Sequence, residues 1–206
     1  MFSNLQINRT LVKKDVRMEQ FGKTVSEEAL QREWLEIQAA QADRAQFRPL
    51  YERYFESIFR FLYRRTGEEP LAADLCSQVF LKAMQKLDGY EFKGVPFSAW
   101  LYRIASNEVA QYYRRNKRNR VVSADERDFS DLAHKMEEDN TEQYLQALIG
   151  SLDELRKQDI ELIELRFFEH RPFKEIAEIL DITESNAKVR TYRILDRLKK
   201  KIQDKT

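Results

Sequence analysis

The sequence predicts an all-α protein of two small helical domains joined by a flexible acidic linker, and three observations carry that prediction. Gly and Pro number only five and four among 206 residues, too few turn formers for an all-β fold with its many tight reversals. Leu, Glu, Lys, Arg and Gln fill long stretches, and these side chains lose little rotamer freedom in a helix. Charge is segregated, although the whole chain carries only +1. Residues 46–120 hold 14 Lys and Arg against 8 Asp and Glu, residues 121–154 hold 2 against 10, and residues 184–206 hold 8 against 3. Two basic modules separated by an acidic segment form the charge pattern of a nucleic-acid partner.

The elements follow in order. Residues 1–25 show weak periodicity and mixed charge, so they read as a mobile N-terminal extension. A helix begins at Ser26, where Ser-Glu-Glu-Ala offers a capping hydroxyl and an acidic first turn. A stronger helix spans about Asp43 to Arg65, with Phe47, Leu50, Tyr51, Tyr54, Ile58, Phe61 and Leu62 as one apolar stripe. Gly67 stops it and Pro70 opens the next helix, 70–87. There Leu71, Leu75, Val79, Phe80, Ala83 and Leu87 form the buried face. Gly89 and Gly94 bracket a loop, and a fourth helix runs from Pro96 and Ser98 to about Lys117. Residues 118–140 are polar, acidic and aperiodic, which marks a linker. Helical periodicity returns at about Thr141, followed by helices at 156–168, 173–180 and 184–200.

The last two of these have the layout of a helix-turn-helix across Phe173–Leu198. Asp181-Ile182-Thr183 makes a three-residue turn, with Ile182 at the corner and Thr183 placed to cap the following helix. Asp181 stands where many such turns have Gly, and Asp tolerates the left-handed conformation better than most residues. Ala187, Thr191, Ile194 and Leu198 share an inward face. Ser185, Asn186, Lys188, Val189, Tyr192 and Arg193 share the opposite one. A helix can enter the major groove, where Asn suits adenine and Arg or Lys suits guanine.

The fourth helix, FSAWLYRIASNEVAQYYRRNKR, interleaves aromatic and basic residues. Leu101, Ile104, Ala105, Val109 and Tyr112 point inward; Arg103, Asn107, Gln111 and Arg114 point outward, with Trp100 at the edge. Cations, amides and a ring along one stripe suit opened DNA, where bases stack on aromatics and cations hold the backbone. The glycine-bracketed loop before it could hold a base turned out of the stack. The mixed face of the third helix carries Asp74, Ser77, Gln78 and Lys82.

No catalytic residue, metal site or cofactor is expected. His134 and His170 are isolated, and HxH, HExxH, CxxC and Gly-rich phosphate-loop patterns do not occur. Cys76 is the only cysteine, which excludes an intramolecular disulfide. No run near 18 apolar residues appears, so a cytoplasmic chain without membrane insertion is expected. A free-standing helix-turn-helix regulator remains the alternative reading of the residues alone.

Three stretches, AADLCSQVFLKAMQKL, FSAWLYRIASNEVAQYYRR and LRFFEHRPFKEIAEILDITESNAKVRTYRILDRL, resemble in the same order the signature segments of extracytoplasmic-function (ECF) sigma factors. The resemblance implies a sigma-two domain at 26–117, a linker at 118–140 and a sigma-four domain at 141–206. It implies docking of Asp74, Ser77, Gln78 and Lys82 on the clamp helices of the polymerase large subunit, with Gln78 where the family usually has Glu. It implies contact with the −10 element by Tyr90, Phe92, Trp100, Arg103, Asn107, Gln111 and Arg114. It implies contact with the −35 element by Arg166, Ser185, Asn186, Lys188, Val189, Arg190, Tyr192 and Arg193. Val189 and Thr191 depart from the commoner Ser and Leu, so base preference cannot be copied across. Core polymerase, including its flap, promoter DNA and an anti-sigma factor are the implied partners, with no small-molecule substrate. The linker can span about 80 Å at roughly 3.3–3.6 Å per residue. That is a little over two turns of DNA at about 34–36 Å each, enough for two separate promoter elements.

Overall fold

The computed structural model describes residues 25–116, 150–151 and 155–203. These contain seven α-helices and no strand. They fall into two compact units, one built on residues 25–116 and the other on most of residues 150–203.

The first unit contains four helices. α1 spans Glu27–Ala42, and Ser26 caps it by accepting from the Ala29 amide at 3.3 Å. α2 spans Arg48–Thr66, α3 Glu69–Lys86 and α4 Phe97–Asn116. α2 therefore starts five residues after the expected Asp43. Asp43 is extended (φ −141°, ψ 115°), and its carboxylate accepts from the Ala45 amide at 3.0 Å. That contact nucleates a 3₁₀ turn over Arg44–Phe47. Pro49, which lacks an N–H, then occupies the first turn of α2, where no intrahelical donor is needed.

Gly67 ends α2 in the left-handed conformation (φ 68°), its N–H bonded to the Tyr63 carbonyl at 2.8 Å. α2, α3 and α4 pack on one another. Leu50, Ile58, Phe61 and Leu62 from α2 meet Leu75, Val79, Phe80 and Ala83 from α3 and Leu101, Tyr102, Ala105 and Val109 from α4 in the core. Each fully buried Leu, Ile or Phe contributes about 1.5–3 kcal/mol. Phe61 and Tyr102 meet edge to face at 4.9 Å. The Tyr113 hydroxyl donates to the Arg65 carbonyl at 2.6 Å, tying the end of α4 to the end of α2. Tyr51 departs from the expected stripe and is exposed, and Leu71 is only half-buried. Cys76 is buried on α3, and that burial pushes its thiol up to about 12.

The second unit contains α5 (Lys157–Ile163), α6 (Phe173–Leu180) and α7 (Glu184–Gln203). The expected helix over 156–168 divides: after α5 the chain widens into a π turn at Glu164–Phe168, with Glu169 N–H bonded to the Glu164 carbonyl at 2.9 Å. α5 packs on α7. All but the last residue of the extension at 1–25, the acidic linker at 118–140 and most of the helix expected from Thr141 lie outside the described residues, although Gly150 and Ser151 are helical.

Candidate nucleic-acid interface

In the second unit the helix-turn-helix forms as its residues dictate. Asp181 takes the left-handed conformation (φ 57°, ψ 48°), and the Ile182 N–H reaches back to the Ala177 carbonyl at 3.0 Å. This is a Schellman-type closure that satisfies the last carbonyls of α6. Thr183 Oγ1 accepts from the Asn186 amide at 3.1 Å, capping α7. Ala187, Thr191, Ile194 and Leu198 are buried together. Thr191 is accommodated because its hydroxyl donates to the Ala187 carbonyl at 2.8 Å.

That burial turns the opposite face outward. Ser185, Asn186, Lys188, Val189, Tyr192 and Arg193 are exposed. Val189 at 46% and Tyr192 at 55% are large apolar surfaces left open to solvent on the basic helix. Lys188 pairs with Glu184 one turn earlier at 2.6 Å.

Arg190 and Arg166 sit differently from the rest of their set. Arg190 is half-buried and leans on the buried Asp159 of α5 at 3.4 Å; Arg197 reaches the other Asp159 oxygen at 2.8 Å. Arg166 is half-buried, its guanidinium 4.6 Å from the Phe173 ring centre and bonded to the Arg171 carbonyl at 2.9 Å. Burial lowers its pKa from the ordinary arginine value. Both side chains are tied to protein partners as well as being near the interface.

In the first unit, Asn107 and Arg114 are exposed on α4, and Arg103 and Gln111 are half-buried on the same line. Trp100 is half-buried, with Tyr90 at 4.9 Å and Phe97 at 5.4 Å. Phe92 is half-buried and stacks on Trp34 of α1 at 5.8 Å with the rings 22° apart. Tyr90 is only 8% exposed. Its ring packs edge to face on Phe97 at 5.1 Å, so Tyr90 supports the loop from inside and does not present itself as a base-stacking surface.

The expected docking set also divides. Asp74, Ser77 and Gln78 are exposed on α3. Lys82 instead turns toward α4 and pairs with the buried Glu108 at 2.6 Å. Helical spacing places Leu81, 56% exposed, on the face of Asp74, Ser77 and Gln78. Periodicity alone gave no reason to single out Leu81, since one apolar residue on a polar face is unremarkable in a sequence. Asp159, Glu33 and Trp34 were equally unmarked, because their partners lie far along the chain.

Two helical units, one carrying a helix-turn-helix and the other an aromatic and basic helix behind a tight loop, have the architecture of a DNA-binding protein. Sigma-70 region 2 matches residues 50–119 and Sigma-70 region 4 matches residues 145–198. The chain belongs to the ECF group of RNA polymerase sigma factors, the subunits that direct transcription initiation. It is 30% identical over 171 residues to the ECF sigma factor BldN of Streptomyces coelicolor, covering 82% of this chain and 65% of that one. It is 28% identical over 156 residues to the ECF sigma factor SigM of Bacillus subtilis, covering 73% of this chain and 91% of that one. The fold is similar to CnrH solved in complex with the cytosolic domain of CnrY (TM-score 0.56, 20% identity, 84% of this chain and 99% of that chain). It is also similar to RpoE solved with the anti-sigma factor NepR from Bartonella quintana (TM-score 0.50, 18% identity, 76% and 96%). Among the described residues no helix is long and apolar enough to cross a membrane.

Proposed function

We propose that the chain binds core RNA polymerase and directs initiation at promoters whose two elements are read in different forms of DNA. The second unit reads the −35 element as duplex. Asn186, Lys188, Val189, Tyr192 and Arg193 face the major groove, while Ser185 and the flanking cations meet phosphate. The first unit reads and opens the −10 element. Arg103, Asn107, Gln111 and Arg114 hold the strand, and Trp100 and Phe92 offer ring surface to an unpaired base.

Docking on the polymerase clamp uses Asp74, Ser77 and Gln78, with Leu81 as the apolar centre of that face. Lys82 acts within the unit as the partner of Glu108. Arg190 and Arg166 orient the recognition helix and the turn before it, adding positive charge near the phosphates. The acidic segment 118–140 joins the two units along basic polymerase surfaces, and an anti-sigma factor is the regulatory partner.

The observation that supports this reading best is the exposed face of α7. Amide, cationic and apolar groups stand together at the N-terminal half of a helix whose opposite face is buried. The test is transcription by core polymerase from a pool of randomised promoters, with and without the chain. Enrichment of two sequence blocks at fixed spacing is expected. Identical transcript pools in both reactions would overturn the reading.

A further inference from the structure

α1 lies before the matched segment 50–119, yet its side chains reach the backbone of the −10 loop. Gln41 Nε2 donates to the Leu87 carbonyl at 2.8 Å and to the Tyr90 carbonyl at 3.1 Å. One amide thus holds both ends of the short turn that leads into the loop. Trp34 covers Phe92 at 5.8 Å and Tyr90 at 6.3 Å.

Glu33 is 6% exposed, and its carboxylate accepts the Phe97 amide at 2.8 Å, at the first turn of α4. Pro96, just ahead of α4, has no side-chain acceptor, so the capping group comes from a helix 64 residues away in sequence. A carboxylate at this end also meets the positive pole of the helix. The Tyr54 hydroxyl donates to the same carboxylate, and Arg53 stands 3.6 Å from it.

Leu30, Ile37 and Ala40 already anchor α1 by apolar burial. Gln41 and Trp34 go instead to the loop, and Glu33 ties the start of α4 to Tyr54 and Arg53 of α2. We propose that α1 is a positioning element for promoter opening, in which Glu33, Trp34 and Gln41 preform the 87–97 segment that receives an unpaired −10 base. This rests on the reading of that segment as the −10 contact. A preformed loop costs less ordering when the base enters, so the brace acts on capture of the base and not on polymerase docking.

The test uses the full chain with core polymerase on a promoter enriched from the randomised pool. Core affinity and the amount of open complex are measured for wild type, Gln41→Ala, Trp34→Leu, Glu33→Ala and Glu33→Gln. Each is also assayed on promoters with single abasic sites across the −10 strand. Gln41→Ala, which removes two hydrogen bonds, is expected to lower open complex about tenfold with core affinity unchanged. The abasic site that costs wild type most should cost Gln41→Ala and Trp34→Leu little further. Glu33→Gln, which keeps an acceptor for the Phe97 amide, should outperform Glu33→Ala.

Losses from the variant and from the abasic site that simply multiply would overturn the brace, as would core affinity falling in step with open complex. An absence of open complex with the wild-type chain would overturn the −10 reading itself, and the brace with it.

Discussion

Asp159→Ala tests how α7 is held. The Asp159 carboxylate is buried in α5 and takes two guanidiniums from α7, Arg197 at 2.8 Å and Arg190 at 3.4 Å. A hydrogen bond to a charged group is worth about 1.5–3 kcal/mol when well formed. The Arg190 contact is long and adds less, and Arg197 is half in water and regains hydration when released. Together these give a loss of about 2 kcal/mol. For a unit of this size, with a urea slope of about 1 kcal/mol per molar, the midpoint should fall by about 2 M. Asp159→Asn keeps one acceptor and should fall by about half as much.

The assay is urea unfolding followed by circular dichroism, for the single variants and in Arg197→Ala and Arg190→Ala backgrounds. If the carboxylate acts through these arginines, its loss shrinks once they are gone. A fall below about 0.5 kcal/mol, or an undiminished loss in the Arg197→Ala, Arg190→Ala double variant, would refute the reasoning, since an ordinary surface change stays within about that range.

Four further outcomes are expected. Asp181→Val should lower stability by about 1–2 kcal/mol in thermal unfolding, because a β-branched residue resists φ 57°; Asp181→Gly should not. Lys82→Ala should destabilise the first unit by about 1–2 kcal/mol in the same measurement, by leaving the buried Glu108 without its 2.6 Å partner, whereas Gln78→Ala should weaken core binding and leave stability unchanged. Asn107→Ala should impair promoter opening, read by a fluorescent base in the −10 strand, more than it impairs polymerase binding. Arg193→Ala should weaken promoter-specific transcription, with about 1–3 kcal/mol of discrimination lost at one base pair and the unfolding curve unchanged.

Local chemistry made much of this molecule legible in its sequence. Thr183 as a cap, Asp181 in the left-handed turn and the inward set Ala187, Thr191, Ile194 and Leu198 each follow from neighbours within one or two helical turns. The same holds for Gly67 and for the start of α3 at Glu69–Pro70. Asp43 had the chemistry to break the helix ahead of α2, with Pro49 as a second signal, but the apolar period running through Phe47 masked both.

What could not be read depends on contacts between distant residues. The turn of Lys82 toward Glu108 and the hold of Asp159 on Arg190 join residues 26 and 31 apart, and the burial of Tyr90 rests on rings from α1 and α4. Helical periodicity places a side chain on a face; it does not say which neighbour waits there. Trp34 and Gln41 illustrate the limit most clearly, because an ordinary amphipathic helix would carry the same residues on its edge.

Nuclease protection on an enriched promoter, with core polymerase alone, the chain alone and both together, tests the central claim most directly. The account predicts protection over two blocks only when both are present. A tight two-fold symmetric footprint from the chain alone, and no change on adding polymerase, would contradict it.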